Sequence, residues 1–454
     1  MRPLPVEITN MIVDHFCIRA VPLELIKSLQ IVSLPPEPSL LSVQGPEELT
    51  EPLQHAPIEP DPSLQIDSQE PIPLLQFDRD LVTCAAVCKD WLYRSRSIQF
   101  KSLDFTPRHT WNRLSLLMDL LSSPHATIAP HVRQIIVPLH GNDWLIPFAR
   151  IGQLHALRSV ILHSLDCFSS IPAKGVVSVL GSLTELRSLR LAHFGISSYA
   201  QLQDVVAACP RLERLYLEDL YISLSVIHPY VSARHSPCPP GLHLFSVFDI
   251  PFDQAFFGWV SRPSQLRSIC ISFAHVLYDG PELSIFLRDQ GSALRHLCIT
   301  DCLPTIRYPR PTFEDAHLDL GHNDRLEVLS LLACGPVFIR HNGLAIIKRV
   351  TSRHFRQLNI SMMNDKGLKS ALLDHQPEFI TIDAHLQQPN FESLVIGMPR
   401  ELEYWIPQHF PLTTAAGVVR LMHIEAVHWL PAIRNITYYK MSLHYDEEIL
   451  FNDS

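Results

Sequence analysis

Apolar residues recur along most of this chain in a seven-residue pattern, at its second, fifth and seventh positions. Copies begin at residues 99, 131, 156, 185, 211, 241, 265, 293, 325, 354 and 390, so successive starts are 24 to 36 residues apart. A weaker copy, AIRNITY, begins at 432. The last three residues of each copy alternate apolar, variable, apolar, and this alternation predicts a short strand with one buried face.

The stretches between these strands have the spacing of helices. In the fourth interval one apolar stripe at i, i+3, i+4 and i+7 is made by Leu202, Val205, Val206 and Cys209. Pro210 follows, where a helix must already have ended. Strand–helix units repeated in register predict an α/β fold with a parallel sheet and helices on one side. Further helices are predicted over 111–121, 175–183, 253–260, 283–288 and 343–349.

The repeated pattern resembles the leucine-rich repeat, in which each unit of this length contributes one strand and a return helix. That resemblance implies a curved solenoid over residues 99–440, with its helices on the convex side, and a short tail at 441–454. The asparagine ladder of the common repeat is absent, and the positions after four of the strands hold His193, Asp219, Ala274 and Asp301. The residues alone leave one alternative open, a doubly wound α/β domain with unusually uniform units.

Two N-terminal segments, LPVEITNMIVDHF at 4–16 and LVTCAAVCKDWLYRSRSIQFKSLDF at 81–105, each carry an apolar stripe at helical spacing. Joined, they resemble the F-box, a small helical module, and the run from Trp91 is similar to basidiomycete (fungal) F-box proteins. The resemblance implies that this module docks onto the Skp-type linker subunit of a cullin ubiquitin ligase. The residues that it assigns to the contact are Leu4, Pro5, Ile8, Ile12, Phe16, Leu81, Val87, Cys88 and Trp91.

Residues 17–78 interrupt the F-box-like module, which we predict at 1–98. They contain eleven prolines and ten acidic residues against Arg19 and Lys27, so most of the formal net charge of −9 lies here. Such a proline density disfavours helix and strand, and we expect a disordered or polyproline-like insert. Three interpretations stay open. The segment is a loop extruded from the module, or it is a retained intron. Otherwise the module itself begins inside the segment, at the run from Val21, which imitates the Leu-Pro opening at residues 4–5. The apolar stripes of the two flanking segments stay in phase with each other, and this favours the loop.

Composition narrows the class of protein. With 46% hydrophobic residues the chain can form a core, and its negative charge disfavours a general nucleic-acid-binding function. No apolar run is long enough for a membrane span and no signal peptide is visible, so we expect a cytoplasmic or nuclear protein. The ten cysteines include no C-x-x-C pair, which favours buried, reduced thiols.

The motifs predict a protein that is not an enzyme. The 24 histidines form no H-E-x-x-H and no paired Cys/His motif, and neither a nucleophile elbow nor a phosphate-binding glycine loop occurs, so we expect no metal and no cofactor. The leading hypothesis is a substrate adaptor, whose F-box-like module binds the ligase and whose sheet binds a target protein. The alternative is a leucine-rich-repeat interaction scaffold without a ligase connection.

Target recognition is expected on the face of the sheet that points away from the helices. Side chains in the middle position of each strand should lie there, because neighbours along a strand alternate between faces. The middle positions singled out for this contact are Arg190, Tyr216, Cys270, Cys298 and Ser330. Aromatic residues close to these strands are candidate anchors for the target, namely Tyr221, Trp259 and Tyr278.

Overall fold

The computed structural model describes residues 94, 96–98, 100–105, 117–119, 121–122, 128–139, 150–164, 173–193, 195–196, 198–222, 237–248, 250, 253–261, 266–272, 280–300, 318–334, 343–362, 368–398 and 400–423. The contacts divide the chain into residues 1–99 and 100–454. The F-box-like residues at 4–16 and 81–91, the insert at 17–78, the weak copy at 432 and the tail at 441–454 lie outside the described residues.

One twelve-stranded sheet organises the second unit, and neighbouring strands in it are parallel. Strand order follows sequence order, whereas a doubly wound domain reverses its strand order, so the doubly wound alternative is wrong. The strands are β1 Ser102–Asp104, β2 Gln134–Leu139, β3 Ser159–Ser164, β4 Ser188–Ala192, β6 Arg214–Glu218, β8 Leu244–Phe248, β9 Ser268–Ser272, β10 His296–Thr300, β11 Val328–Cys334, β12 Gln357–Met362, β13 Ser393–Met398 and β14 Val419–His423. A second, two-stranded sheet pairs β5 Gly195–Ile196 with β7 Tyr221–Ile222.

The register of the large sheet confirms the predicted repeat. Each of the eleven copies from 99 to 390 supplies a strand, and the fifth pattern position of one copy pairs with the fifth position of the next, as Leu189 pairs with Leu215 and Leu215 with Phe245. From β2 to β13 the fifth and seventh positions are all buried. The alternation of the pattern therefore defines the helix-covered face of the sheet.

The last strand, β14, is not predicted by the pattern as we applied it. It comes from the run AAGVVRL at 415–421, in which Ala416 takes the second position in place of a larger apolar residue. Val419 nevertheless pairs with Leu394, and Leu421 with Ile396, in the register of the earlier strands. This run is a twelfth copy of the pattern, and it starts at a normal spacing from the copy at 390.

Helices connect the strands and pack on the face that carries the fifth and seventh positions. Leu180, Leu202 and Phe257 from three of these helices belong to the same buried core as the strand residues. Within the described part of the chain, no helix is both long and apolar enough to cross a membrane. The α-helices are α1 Ala173–Ser182, α2 Tyr199–Ala207, α3 Gln254–Ser261, α4 Gly280–Gln290, α5 Leu344–Lys348, α6 Leu368–Asp374, α7 Gln376–His385, α8 Ile406–His409 and α9 Pro411–Ala415. Short 3-10 helices are Ala129–His131, Gly291–Ala293 and Arg400–Trp405.

Candidate functional site

The face of the sheet opposite the helices carries a polar cluster where β3, β4 and β6 end. Register places His163, Ala192 and Glu218 side by side, each in the position that follows the seven-residue pattern. Ala192 is itself buried between its two larger neighbours. The three positions lie at the carboxyl edge of the parallel sheet.

The residues after β4 and β6, His193 and Asp219, turn the chain away from the large sheet towards β5 and β7. Both have a positive φ, 59° and 48°, which His, Asn and Asp adopt more readily than most residues other than glycine. Their backbone N–H groups donate to the carbonyls of Glu218, at 2.9 Å, and Phe248, at 3.0 Å. The two turns bring His193 Nδ1 to 3.1 Å from Asp219 Oδ2.

Charged groups in this cluster are closely paired. Glu218 is only 4% exposed, and its Oε2 accepts a hydrogen bond from the guanidinium of Arg190 in the middle position of β4. The rings of His163 and His193 have centroids 4.8 Å apart and planes inclined at 80°. Burial lowers the pKa of His163, and the nearby His193 lowers it further, which favours the neutral imidazole at pH 7.

The Nδ1 atom of His163 is buried and has no hydrogen-bond partner within the part of the chain that the structure describes. Beside it, one donor atom each from His193, Glu218 and Asp219 lie within 4.8 Å of one another. Imidazole nitrogens and carboxylate oxygens are ligands for zinc and related ions, and they also hydrogen-bond to polar groups. We define His163, His193, Glu218 and Asp219 as the strand-end cluster.

Sequence reasoning missed this cluster because its members come from three different repeats and form no local motif. One signal was present: His193 and Asp219 occupy the same position of successive repeats, two residues after the pattern ends. That equivalence places them on neighbouring turns once the strands are aligned in register.

Further along the same face, buried apolar and sulfur-containing side chains pack together among buried serine residues. Tyr216, Leu244, Phe248, Cys270 and Cys298 form a second cluster, separate from the helix-side core, and we call it the sulfur cluster. Cys270 and Cys298 pair directly across β9 and β10, and both are free thiols. Tyr216, Cys270 and Cys298 are 7%, 4% and 1% exposed. They point away from the helices as predicted, but burial removes them from any surface offered to a target.

The other predicted target contacts are distributed differently. Arg190 and Ser330 are half-buried on the face opposite the helices, and Ser330 Oγ accepts a hydrogen bond from Asn359 Nδ2 at 2.8 Å. Trp259 instead lies on α3, in the helix-side core, where its ring stacks on Phe256 with centroids 5.8 Å apart. The backbone of Tyr221 is in β7. Tyr278 lies outside the described residues.

A fully buried carboxylate, that of Asp383 on α7, has a structural role. It accepts hydrogen bonds from the backbone N–H of Leu412 at 2.6 Å and of Thr413 at 3.0 Å, and from the Thr413 hydroxyl at 2.8 Å. Side-chain oxygens that bind the free N–H groups of a helix start stabilise it. Asp383 therefore ties α7 to the beginning of α9, and its burial is explained without a ligand.

The chain matches no protein-family model, and none of the curated proteins matches it. Among solved structures it is similar to the leucine-rich repeat-containing protein LegL7 from Legionella pneumophila, at 14% identity over 68% of this chain and 98% of LegL7, with a TM-score of 0.39. A TLR13–ssRNA13 complex is 14% identical over 65% of this chain and 47% of that one, with a TM-score of 0.25. A chain from an octameric complex of latrophilin 3, Unc5D and FLRT2 is 13% identical over 65% of this chain and 84% of its own length, with a TM-score of 0.21. Scores this low carry no argument about function.

Proposed function

We propose that this chain is a non-catalytic substrate adaptor of a Skp–cullin–F-box ubiquitin ligase, with its sheet as the target-binding body. The observation that supports the binding role is the in-register sheet, whose helix-side positions repeat while those on the opposite face differ from strand to strand. Repeat proteins bind partners through a constant frame with a variable surface. The ligase connection rests on the F-box-like segments at 4–16 and 81–105, and it is a proposal from sequence.

The target would contact the polar parts of the face opposite the helices. One part is Arg190, whose side chain is 18% exposed beside Glu218. Another is the hydrogen-bonded row of Gln357, Asn359 and Ser330 on β11 and β12, with both bonds at 2.8 Å. Holding a target there would raise the effective concentration of its lysines near the ubiquitin-carrying subunits, which perform the transfer.

A pull-down with a purified Skp-type subunit tests the ligase connection. We expect the full chain to retain the subunit, and Ile12→Glu and Trp91→Ala each to abolish retention, because both change apolar residues that the resemblance assigns to the contact. The matched control is Leu53→Glu in the insert, which should leave retention unchanged. The ligase connection fails if the full chain does not retain the subunit, or if Ile12→Glu and Trp91→Ala retain as much of it as the unchanged chain does.

The insert at 17–78 has its own test. If it is a loop extruded from the F-box-like module, a chain lacking residues 17–78 should still retain the Skp-type subunit, since loop length adds little to the free energy of closing the module. Transcript sequencing across the same codons distinguishes a loop from a retained intron. Loss of retention on deletion would contradict the extruded-loop interpretation.

The alternative, an interaction scaffold without a ligase connection, shares the binding face. It predicts that the full chain captures a partner through Arg190 and Asn359 but retains no Skp-type subunit. Cross-linking followed by mass spectrometry, comparing the full chain with an Arg190→Ala, Asn359→Ala variant, identifies the partner. A partner captured equally by both would show that this face is not the binding surface.

A further inference from the structure

The strand-end cluster has a composition and geometry that the adaptor function does not use. Two imidazoles and two carboxylates come together there, from His163, His193, Glu218 and Asp219. We propose that His193, Glu218 and Asp219 bind a divalent transition-metal ion beside His163, with Zn²⁺ as the preferred occupant. The inference is independent of the ligase connection.

Distances within the cluster are close to those that zinc requires. Zinc bonds of about 2.1 Å in a tetrahedral site place ligand atoms roughly 3.4 Å apart. His193 Nδ1 and Asp219 Oδ2 are already 3.1 Å apart, and the donor atoms of His193, Asp219 and Glu218 all lie within 4.8 Å. The turns hold the backbones of His193 and Asp219 next to each other.

His163 borders these three donors. Its ring centroid is 4.8 Å from that of His193, and its buried Nδ1 has no hydrogen-bond partner among the described residues. A buried polar atom without a partner costs free energy, and a water bound to the ion would remove that cost.

Arg190 orients Glu218 at this place. Its guanidinium donates a hydrogen bond to Oε2 of the Glu218 carboxylate. Carboxylates that bind metals are usually held by a second hydrogen bond of this kind, which fixes their orientation. The mixed nitrogen and oxygen donors favour zinc over Ca²⁺ or Mg²⁺, which prefer sites made of oxygen atoms.

Zinc competition against a chromophoric chelator tests the site on the full chain. We expect one Zn²⁺ bound per wild-type chain, and we expect His193→Asn with Asp219→Asn to weaken that site by at least about 100-fold. Asparagine tolerates a positive φ, so this double variant preserves both turns while it removes an imidazole and a carboxylate. The matched control is His322→Asn with Asp324→Asn, two exposed residues of another loop, which should bind zinc like wild type.

Two further readouts separate lost binding from lost folding. Zinc should raise the unfolding temperature of the wild type and of the control but not of the strand-end variant, since only a ligand bound by the folded state stabilises it. Cobalt should give the visible absorption of a low-symmetry site in the wild type and in the control, but not in the strand-end variant. The single variant Glu218→Gln should also lose the ion if the double variant does not fold. The proposal is overturned if the wild type binds no zinc tightly, or if folded strand-end variants bind it as the control does.

Discussion

The two faces of the sheet differ in how regularly their residue types repeat, although the same strands form both. On the helix-covered face the fifth and seventh pattern positions are apolar and buried from β2 to β13. On the opposite face the intervening position is arginine in β4, tyrosine in β6, cysteine in β9 and β10, serine in β11 and asparagine in β12. The backbone repeats because the same residue types are buried on the helix-covered face of every strand. The residues on the opposite face can therefore differ from strand to strand.

The face opposite the helices is itself divided. The strand-end cluster and Arg190 bury charge in an ion pair and in hydrogen bonds, whereas the sulfur cluster, which begins on β6 with Tyr216 beside Arg190, buries thiols, aromatic rings and a leucine. Polar groups can be buried only with partners, so the first region needs the more closely defined geometry. Specific chemistry is therefore expected at the strand-end cluster.

Truncating the repeated face should have the largest effect on stability. Leu217 occupies the seventh pattern position in β6 and is fully buried, while Leu421 has the same pattern position in β14 and is 37% exposed. Leu217→Ala should lower the free energy of unfolding by about 2–5 kcal/mol, through lost burial and the cavity left behind. Leu421→Ala should cost under about 1 kcal/mol. Denaturant unfolding measures both, and equal losses would contradict the distinction between inner and terminal strands.

Breaking the ion pair of the opposite face should come next. Glu218→Gln leaves the mostly buried guanidinium of Arg190 facing a neutral amide, and we expect a loss of about 2 kcal/mol in unfolding experiments with chelator present. The matched control is Glu185→Gln, because the Glu185–Arg211 pair is 39% and 62% exposed. Exposed pairs contribute little, so this variant should cost less than about 1 kcal/mol. If both variants lose the same free energy of unfolding, burial does not distinguish the two ion pairs.

The repeated face could be predicted from sequence far better than the face that carries the candidate site. Apolar spacing predicts the eleven strands and their register because burial against helices selects the same residue types in every unit. The strand β14 was missed because Ala416 is a small member of that pattern. The contact of His193 with Asp219 depends on two left-handed turns in register, which local spacing does not encode.

Acid should destabilise the protein through His296 on β10, by a smaller amount. Burial lowers the pKa of His296; Glu327 opposes this, and Arg356 and Arg295 add to it. The unfolded chain, with a pKa near 6.5, then binds a proton that the folded chain does not, so stability falls as the pH drops below about 6.5. One such group changes stability by at most about 1.4 kcal/mol per pH unit. Unfolding at pH 7.5 and 5.5 should show a smaller pH dependence for His296→Gln than for wild type, and an unchanged dependence would contradict this role.

The sulfur cluster should respond least of all to solution chemistry. Burial raises the pKa of Cys270 well above its usual range, and a hydrogen bond with Cys298 raises it further; on the helix side, burial raises the pKa of Cys209 to about 12. Only the thiolate is nucleophilic, and Cys298 is shielded by burial at 1% exposure, so iodoacetamide at pH 8 should leave these three thiols unmodified in the folded chain and label them after unfolding in denaturant. Peptide mass spectrometry resolves the three sites separately. Labelling of Cys270 or Cys298 in the folded chain at the rate seen after unfolding would mean that this part of the opposite face is open to solvent, and both residues would then return to the set of target-contact candidates.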